Sequence, residues 1–370
     1  MRKYYSGITV FKLVGALVVL FGHIRLPEVY GQLAAHFIGL NQAMAFTVPC
    51  FYIVSGFLAY KGWAQAPSPG RYIRGYLGWL GGAYVVLCLW HVITNTLPAL
   101  VAGYQQHTLP VQQLHWLFEV VFVSGPSLAL WFIPPLLLGV GVAYFFERRG
   151  QLRTALLVAA LGFGLAQLAD GSLRGLVEAL GGAGWAPYQL RQEWLLRTML
   201  SGYLGIGLPS VLLGVVVARH EAAFLGLGAR RLALVAGPAL ALELLLLNWA
   251  LPGYPYRLLC SMVPISLLLF YGVLAIRLDG IRRYHALINR FSALSFFTHM
   301  YLIALNRALL GVVGPDLSPR QALACWLLTA AEVVLLTALL TVVLRRYPAR
   351  RPVPAAASAP EPAALAEARR

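Results

Sequence analysis

The sequence predicts an all-α fold, a polytopic membrane helix bundle that threads the bilayer about ten times with both termini on the cytoplasmic side. Three observations predict it. Of 370 residues, 59% are hydrophobic and only 11% charged, whereas a soluble domain carries about a quarter charged residues. Apolar runs of roughly 17 to 25 residues, the length that crosses hydrocarbon as a helix, recur along the whole chain, and a helix satisfies its own backbone polar groups inside lipid. Lys and Arg alternate in density between those runs, as the positive-inside rule requires.

In order, the spans fall near residues 8–24, 41–60, 75–95, 128–146, 152–169, 202–218, 231–250, 258–276, 291–311 and 322–344. The first contains Lys12 and lacks a small-residue cleavage site behind it, so it reads as a retained span and not a removed signal. With the N-terminus inside, cytoplasmic segments hold 21 Lys and Arg, against six outside and two, Lys12 and Arg307, within spans. The inner loops are short. The outer loops, about 96–127 and 170–201, are long and leave room for a bulky extracytoplasmic substrate. Within the first of them HWLFEVVFVSG, 115–125, is apolar enough to lie at the interface or re-enter between helices. The membrane domain therefore covers 1–347, and the Pro/Ala-rich stretch 348–370 reads as a disordered cytoplasmic tail.

A formal charge of +16 raises the question of nucleic acid, but a nucleic-acid binder clusters its basic residues on one face or arm, and here they are scattered between apolar runs. The partner implied is membrane lipid. Cys50, Cys88, Cys260 and Cys325 lie within or at the edges of apolar runs and have no metal-type spacing, so they read as small buried hydrophobes.

Ionisable groups inside lipid cost at least about 2.5 kcal/mol each, so those within spans are functional candidates. Lys12 sits near the inner end of the first span and His23 at its outer end, about 16 Å apart along a helix. They place a deep cation and a shallow imidazole on one helix; the alternative is a snorkelling lysine and a wetted interfacial histidine. Arg71-Tyr72-Ile73-Arg74 puts two arginines on one helical face, a fork for phosphate oxygens or a lipid-headgroup orientation signal. His299 lies near mid-membrane, as a catalytic imidazole or as interhelical glue. Among carboxylates on or near the outer side, Glu28, Glu119, Asp170, Glu178, Glu193 and Asp316, Glu119 stands out. Its apolar neighbours suit a base or an orienter of a histidine, and equally an interfacial helix with one wet face.

These pieces resemble the membrane-bound acyltransferase family 3, whose members acylate sugars and polysaccharides across bacterial membranes. Lys12, ten intervening positions and His23 are similar to the family's first-helix pattern of a basic residue and a histidine. VPCFYIVSGFL at 48–58 looks like its VPLFFxxSGFL segment, Arg71 to Arg74 like its Arg-x-x-Arg motif, and LWFIPPLLL at 130–138 like its LWFLxxL helix. The run at 292–302 resembles its C-terminal serine/aromatic/histidine helix, so the likeness extends nearly to the tail. Two departures stand out: ThrValPheLysLeuValGly replaces an acidic-Leu-Arg-Gly opening, and His299 precedes Tyr301 where the family has tyrosine first.

The resemblance implies an acyltransferase in the bacterial inner membrane that takes acyl-CoA, acetyl-CoA first among candidates, from the cytoplasm without a metal, and O-acylates a glycan or lipid-linked sugar. It implies that Arg71 and Arg74 contact the phosphates of CoA while Lys12 draws in the anionic group. His23 then acts as base on the acceptor hydroxyl or carries the acyl group transiently, with Glu119 and His299 as further catalytic candidates. Tyr52 and Ser55 position the acceptor. This mechanism requires the imidazole and the arginine fork to share one continuous cavity. From a different class, a transporter or flippase for a lipid-linked glycan would use the same buried charges without chemistry, although no paired halves are visible. Oligomeric state is open.

Overall fold

The computed structural model describes residues 3–24, 38–98, 101, 117–125, 130–174, 191–250, 258–312 and 317–346. Outside them lie the expected tail, most of both outer loops, and Glu28, Glu178 and Asp316; the side chain of Glu193 is likewise not described. The described chain is helical: Ser6–His23 (α1), Ile38–Ala64 (α2), Pro69–His91 (α3), Ile133–Arg148 (α4), Leu152–Asp170 (α5), Arg191–Met199 (α6), Leu208–Arg219 (α7), Glu221–Ala250 (α8), Met262–Ala275 (α9), His285–Leu309 (α10) and Pro319–Arg346 (α11). A π-helical stretch, Leu200–Gly207, joins α6 to α7. Among the described residues there is no strand, only an isolated bridge between Gly171 and Leu258.

Each expected span coincides with a helix or joined helices, yet not all are alike. Among the described residues six helices are long and apolar enough to cross a membrane, and α9 with the segment Asp279–Leu309, bent by 97° to it, passes the same test as a pair, which makes seven if the pair is one span. The α2 helix, 27 residues, spans about 40 Å at 1.5 Å per residue, but the side chains of its first turns are not described. The α4 helix has only 16 residues.

The centre is a crossing of α2 on α7. A Cβ at Gly56 would overlap the carbonyl of Val211, and one at Gly214 that of Ile53, so the two backbones touch at reciprocal glycines. Helices in lipid gain their association from such close contact because burial against lipid tails supplies little drive. Around this seam Ile53, Phe57, Val211, Leu212 and Val215 are buried. Peripheral helices turn leucine and valine outward instead, for example Leu161 on α5, Leu245 on α8 and Leu335 on α11, as lipid contact requires.

Polar pairs bind the rim helices. Asn306 of α10 donates to Thr329 Oγ1 (3.0 Å) and Glu332 Oε2 (2.8 Å) of α11. The expected re-entrant stretch forms a short π segment, Val120–Ser124, with Val120 and Val123 buried. Its free carbonyls are met by tyrosines, Tyr84 Oη donating to Val121 O (2.6 Å) and Tyr203 Oη to Phe122 O (2.8 Å). Irregular backbone at membrane depth needs such internal partners.

The ends of the helices sort into two groups. Glu221 at the start of α8 pairs with Lys3 (2.6 Å) and with Lys61 at the end of α2 (2.7 Å). Thr9 meets His285, and Arg290 donates to Thr341 (3.0 Å). At the other ends Glu243 of α8 accepts from Ser172 after α5 and from the backbone of Cys260 (2.6 Å) and Ser261 (2.8 Å) before α9. The first group gathers segments expected in the cytoplasm, the second those expected outside.

Candidate active site

Helix α1 faces α10 along matched polar stripes. Thr9, Lys12 and His23 recur at helical spacing on α1, and His285, Asn289, Ser292, Ser295 and His299 at intervals of four, three, three and four on α10, so each set lies along one side of its helix. Lys12 Nζ donates to Asn289 Oδ1 (2.9 Å), Asn289 Nδ2 meets His285 Nε2 (2.9 Å), and His285 Nδ1 meets Thr9 Oγ1 (2.8 Å). Ser292 Oγ donates to the carbonyl of Lys12 (3.0 Å). No carboxylate among the described residues pairs with Lys12, so its charge is available to a ligand anion.

Three turns further along α1, His23 Nδ1 lies 2.8 Å from Val19 O. Because a carbonyl only accepts, this contact assigns the proton to Nδ1 and leaves Nε2 a lone pair. His299 repeats the arrangement, with Nδ1 2.7 Å from Ser295 O and 3.1 Å from Phe296 O. Its Nε2 has no hydrogen-bond partner, and the ring is 1% exposed. The two imidazoles meet edge to face with centroids 4.9 Å apart. His23 is exposed, with its ring towards the cavity; His299 stands behind it.

The cavity has a volume of about 330 Å³ and reaches from His23 to Lys12 and Asn289, walled by Val48, Phe51, Trp131, Phe132 and Phe296. Tyr52 and Ser55 line it as well, but Tyr52 Oη donates to Phe132 O (2.9 Å) and Ser55 Oγ to Phe51 O (2.8 Å). Their protons hold backbone, and only their lone pairs face a ligand. Glu119 does not line this cavity; the group that orients the His23 ring is the Val19 carbonyl, four residues back on the same helix.

Arg71 and Arg74 open onto a different cavity of about 500 Å³, shared with Arg148, Tyr144, Glu147 and Trp63. Trp63 is buried, packs edge-on to Tyr60 and Tyr144, and leaves its Nε1 proton unpartnered. Among the described residues the arginine fork and the imidazole line separate chambers, not the single continuous cavity expected from the sequence, with packed aromatic side chains of α2 and α4 at the fork's chamber. Asn289, Ser292, Arg148 and Glu221 escaped the sequence reading. The stripe on α10 was legible, but the expected span began at 291 and left Asn289 in a loop.

Among the described residues no group of three His, Cys, Asp or Glu side chains comes together as a metal site. No curated protein and no solved structure matches this chain. Residues 5–344, however, match the acyltransferase family 3 profile, described as Acyltransferase domain. The chain belongs to that family and is a multi-pass membrane acyltransferase, acting on groups other than aminoacyl groups.

Proposed function

We propose that this enzyme moves an acyl group, acetyl in the first instance, from cytoplasmic acyl-CoA to a hydroxyl of a cell-envelope or exported glycan. In this reading it lies in the bacterial inner membrane with ten spans and both termini inside. The 21-to-six distribution of Lys and Arg and the gathering of the basic segments at one end of the bundle support that orientation.

The observation that carries the reading is the His23 ring, held by Val19 O so that Nε2 is basic, in one cavity with an ammonium group lacking a carboxylate partner. In the reaction the acceptor hydroxyl gives its proton to His23 Nε2 as its oxygen attacks the thioester carbonyl. The C–S bond breaks, the thiolate of CoA takes that proton, and the products are an O-acylated glycan and CoA. Lys12, at the far end of the cavity, draws in an anionic group of the donor. His299 keeps the His23 ring in place through their edge contact. Arg71 and Arg74, with Arg148, hold the nucleotide phosphates by forked hydrogen bonds.

Replacing His23 with Ala in membranes is expected to lower acyl transfer by about 10² to 10⁴-fold, the range for a lost general base. Undiminished transfer would overturn the mechanism. The acceptor is read independently by mass spectrometry of surface polysaccharides from a deletion strain, which should lose an O-acyl group.

A further inference from the structure

The separation of the two chambers leaves the route of the donor's arm to be found, and a third cavity supplies it. This one, about 180 Å³, is bounded by Lys3, Tyr5, Lys61, Gly62, Tyr72 and Leu58. Leu58 also lines the membrane cavity, so one side chain is the common wall. The sequence makes these two chambers successive parts of a single groove. On α2, Ser55, Leu58 and Gly62 fall at i, i+3 and i+7 of one face, and on α3 Tyr72 and Tyr76 are four apart. Ser55 and Tyr76 line the membrane cavity, Gly62 and Tyr72 the smaller one, and Leu58 stands between. A Cβ at position 62 would overlap the Tyr72 hydroxyl, so glycine there lets the Tyr72 ring lie against α2 at the floor of the smaller chamber.

The polar content of the outer chamber is arranged around one anion. Lys3 Nζ donates to Glu221 Oε1 (2.6 Å), Lys61 Nζ pairs with Oε2 (2.7 Å), and Tyr5 Oη donates to Oε2 (2.9 Å). Burial and the Glu221 carboxylate push the Tyr5 phenol above its ordinary range, which keeps it a donor. Two ammonium groups and a hydroxyl converging on a carboxylate form the donor set that a phosphate oxygen requires. The Lys3 side chain is 65% exposed, so its pair is weakly held and exchangeable.

We propose that the acyl donor's thioester arm enters the membrane cavity through this chamber. Leu58 is the movable partition, and one phosphate of the donor, whose others lie on the arginine fork, displaces the Glu221 carboxylate from Lys3, Lys61 and Tyr5. Glu221 thus holds these three groups of the chamber when no donor is bound. The inference rests on the acyl-CoA reading above.

The test compares two thioesters on the purified full chain in nanodiscs, acetyl-CoA and S-acetylpantetheine, which lacks the phosphates. The double variant Lys3→Ala/Lys61→Ala should raise the KM for acetyl-CoA about tenfold more than that for S-acetylpantetheine, the loss of charge-assisted bonds to phosphate. Glu221→Gln should lower the KM for acetyl-CoA alone. Leu58→Trp should cut turnover of both thioesters more than about tenfold while CoA still binds by calorimetry. Equal KM shifts for the two donors, or full turnover with Leu58→Trp, overturn the proposal. If Leu58→Trp fails to fold, the lysine and Glu221 variants decide it. A wild-type protein that releases no CoA from any acyl-CoA sinks the acyltransferase reading itself; an active wild type whose variants do not separate the donors sinks only the entrance.

Discussion

The membrane cavity and the arginine cavity are opposite in kind, though α2 and α3 contribute to both. The first is walled by aromatic and aliphatic side chains, with one ammonium group and one imidazole at its two ends. The second has three guanidinium groups within an opening at the bundle end. In the first, water is scarce and each charge acts strongly at short range. In the second, several charges share a wet mouth and each is screened. In the proposed reading the difference is a division of labour: a site that binds by many weak contacts, and a site that reacts by a few strong ones.

Lys12→Met is the sharpest way to break this comparison. Loss of the cavity's cation should raise the KM for acyl-CoA about 10²-fold with kcat changed less, since the ammonium holds an anionic group of the donor about 16 Å from the imidazole. An unchanged KM with a fall in kcat would instead place the ammonium at the reacting atoms and move the chemistry away from His23. Next in size, Arg71→Lys with Arg74→Lys should raise the KM for acyl-CoA about tenfold and leave kcat within about twofold, since lysine cannot fork onto phosphate. Steady-state kinetics at 50 and 200 mM salt should show that the wild-type KM rises with salt while kcat does not. The smallest effect belongs to Tyr52→Phe, which removes the hydrogen bond to Phe132 O. It should cost about 1 kcal/mol, read as a fall of a few degrees in the melting temperature. A large rise in the acceptor KM would instead return Tyr52 to acceptor binding.

Much of the site was visible in residues 12, 23, 71, 74 and 299, because a charge or imidazole within an apolar run is conspicuous wherever the helix packs. Partnerships were not visible. That Val19, and not Glu119, orients His23 depends on a carbonyl four residues away, and every helix offers such carbonyls. That Glu221 gathers Lys3 and Lys61 depends on how the ends of α1, α2 and α8 meet, and Glu221 lies more than 150 residues from either lysine in sequence.

The chain's hydropathy alone determined an all-helical membrane bundle, since hydrocarbon leaves an apolar run no other way to satisfy its backbone. It also determined the order of the helices and which side chains are too expensive to bury idly. Only the tertiary structure decided which helices touch, because in lipid every apolar face is an acceptable surface and close contact at positions such as Gly56 and Gly214 selects the pairing. The same packing decided that the imidazole and the arginine fork occupy separate chambers, which follows from how Trp63 and its neighbours pack and from no property of the imidazole or the arginines themselves.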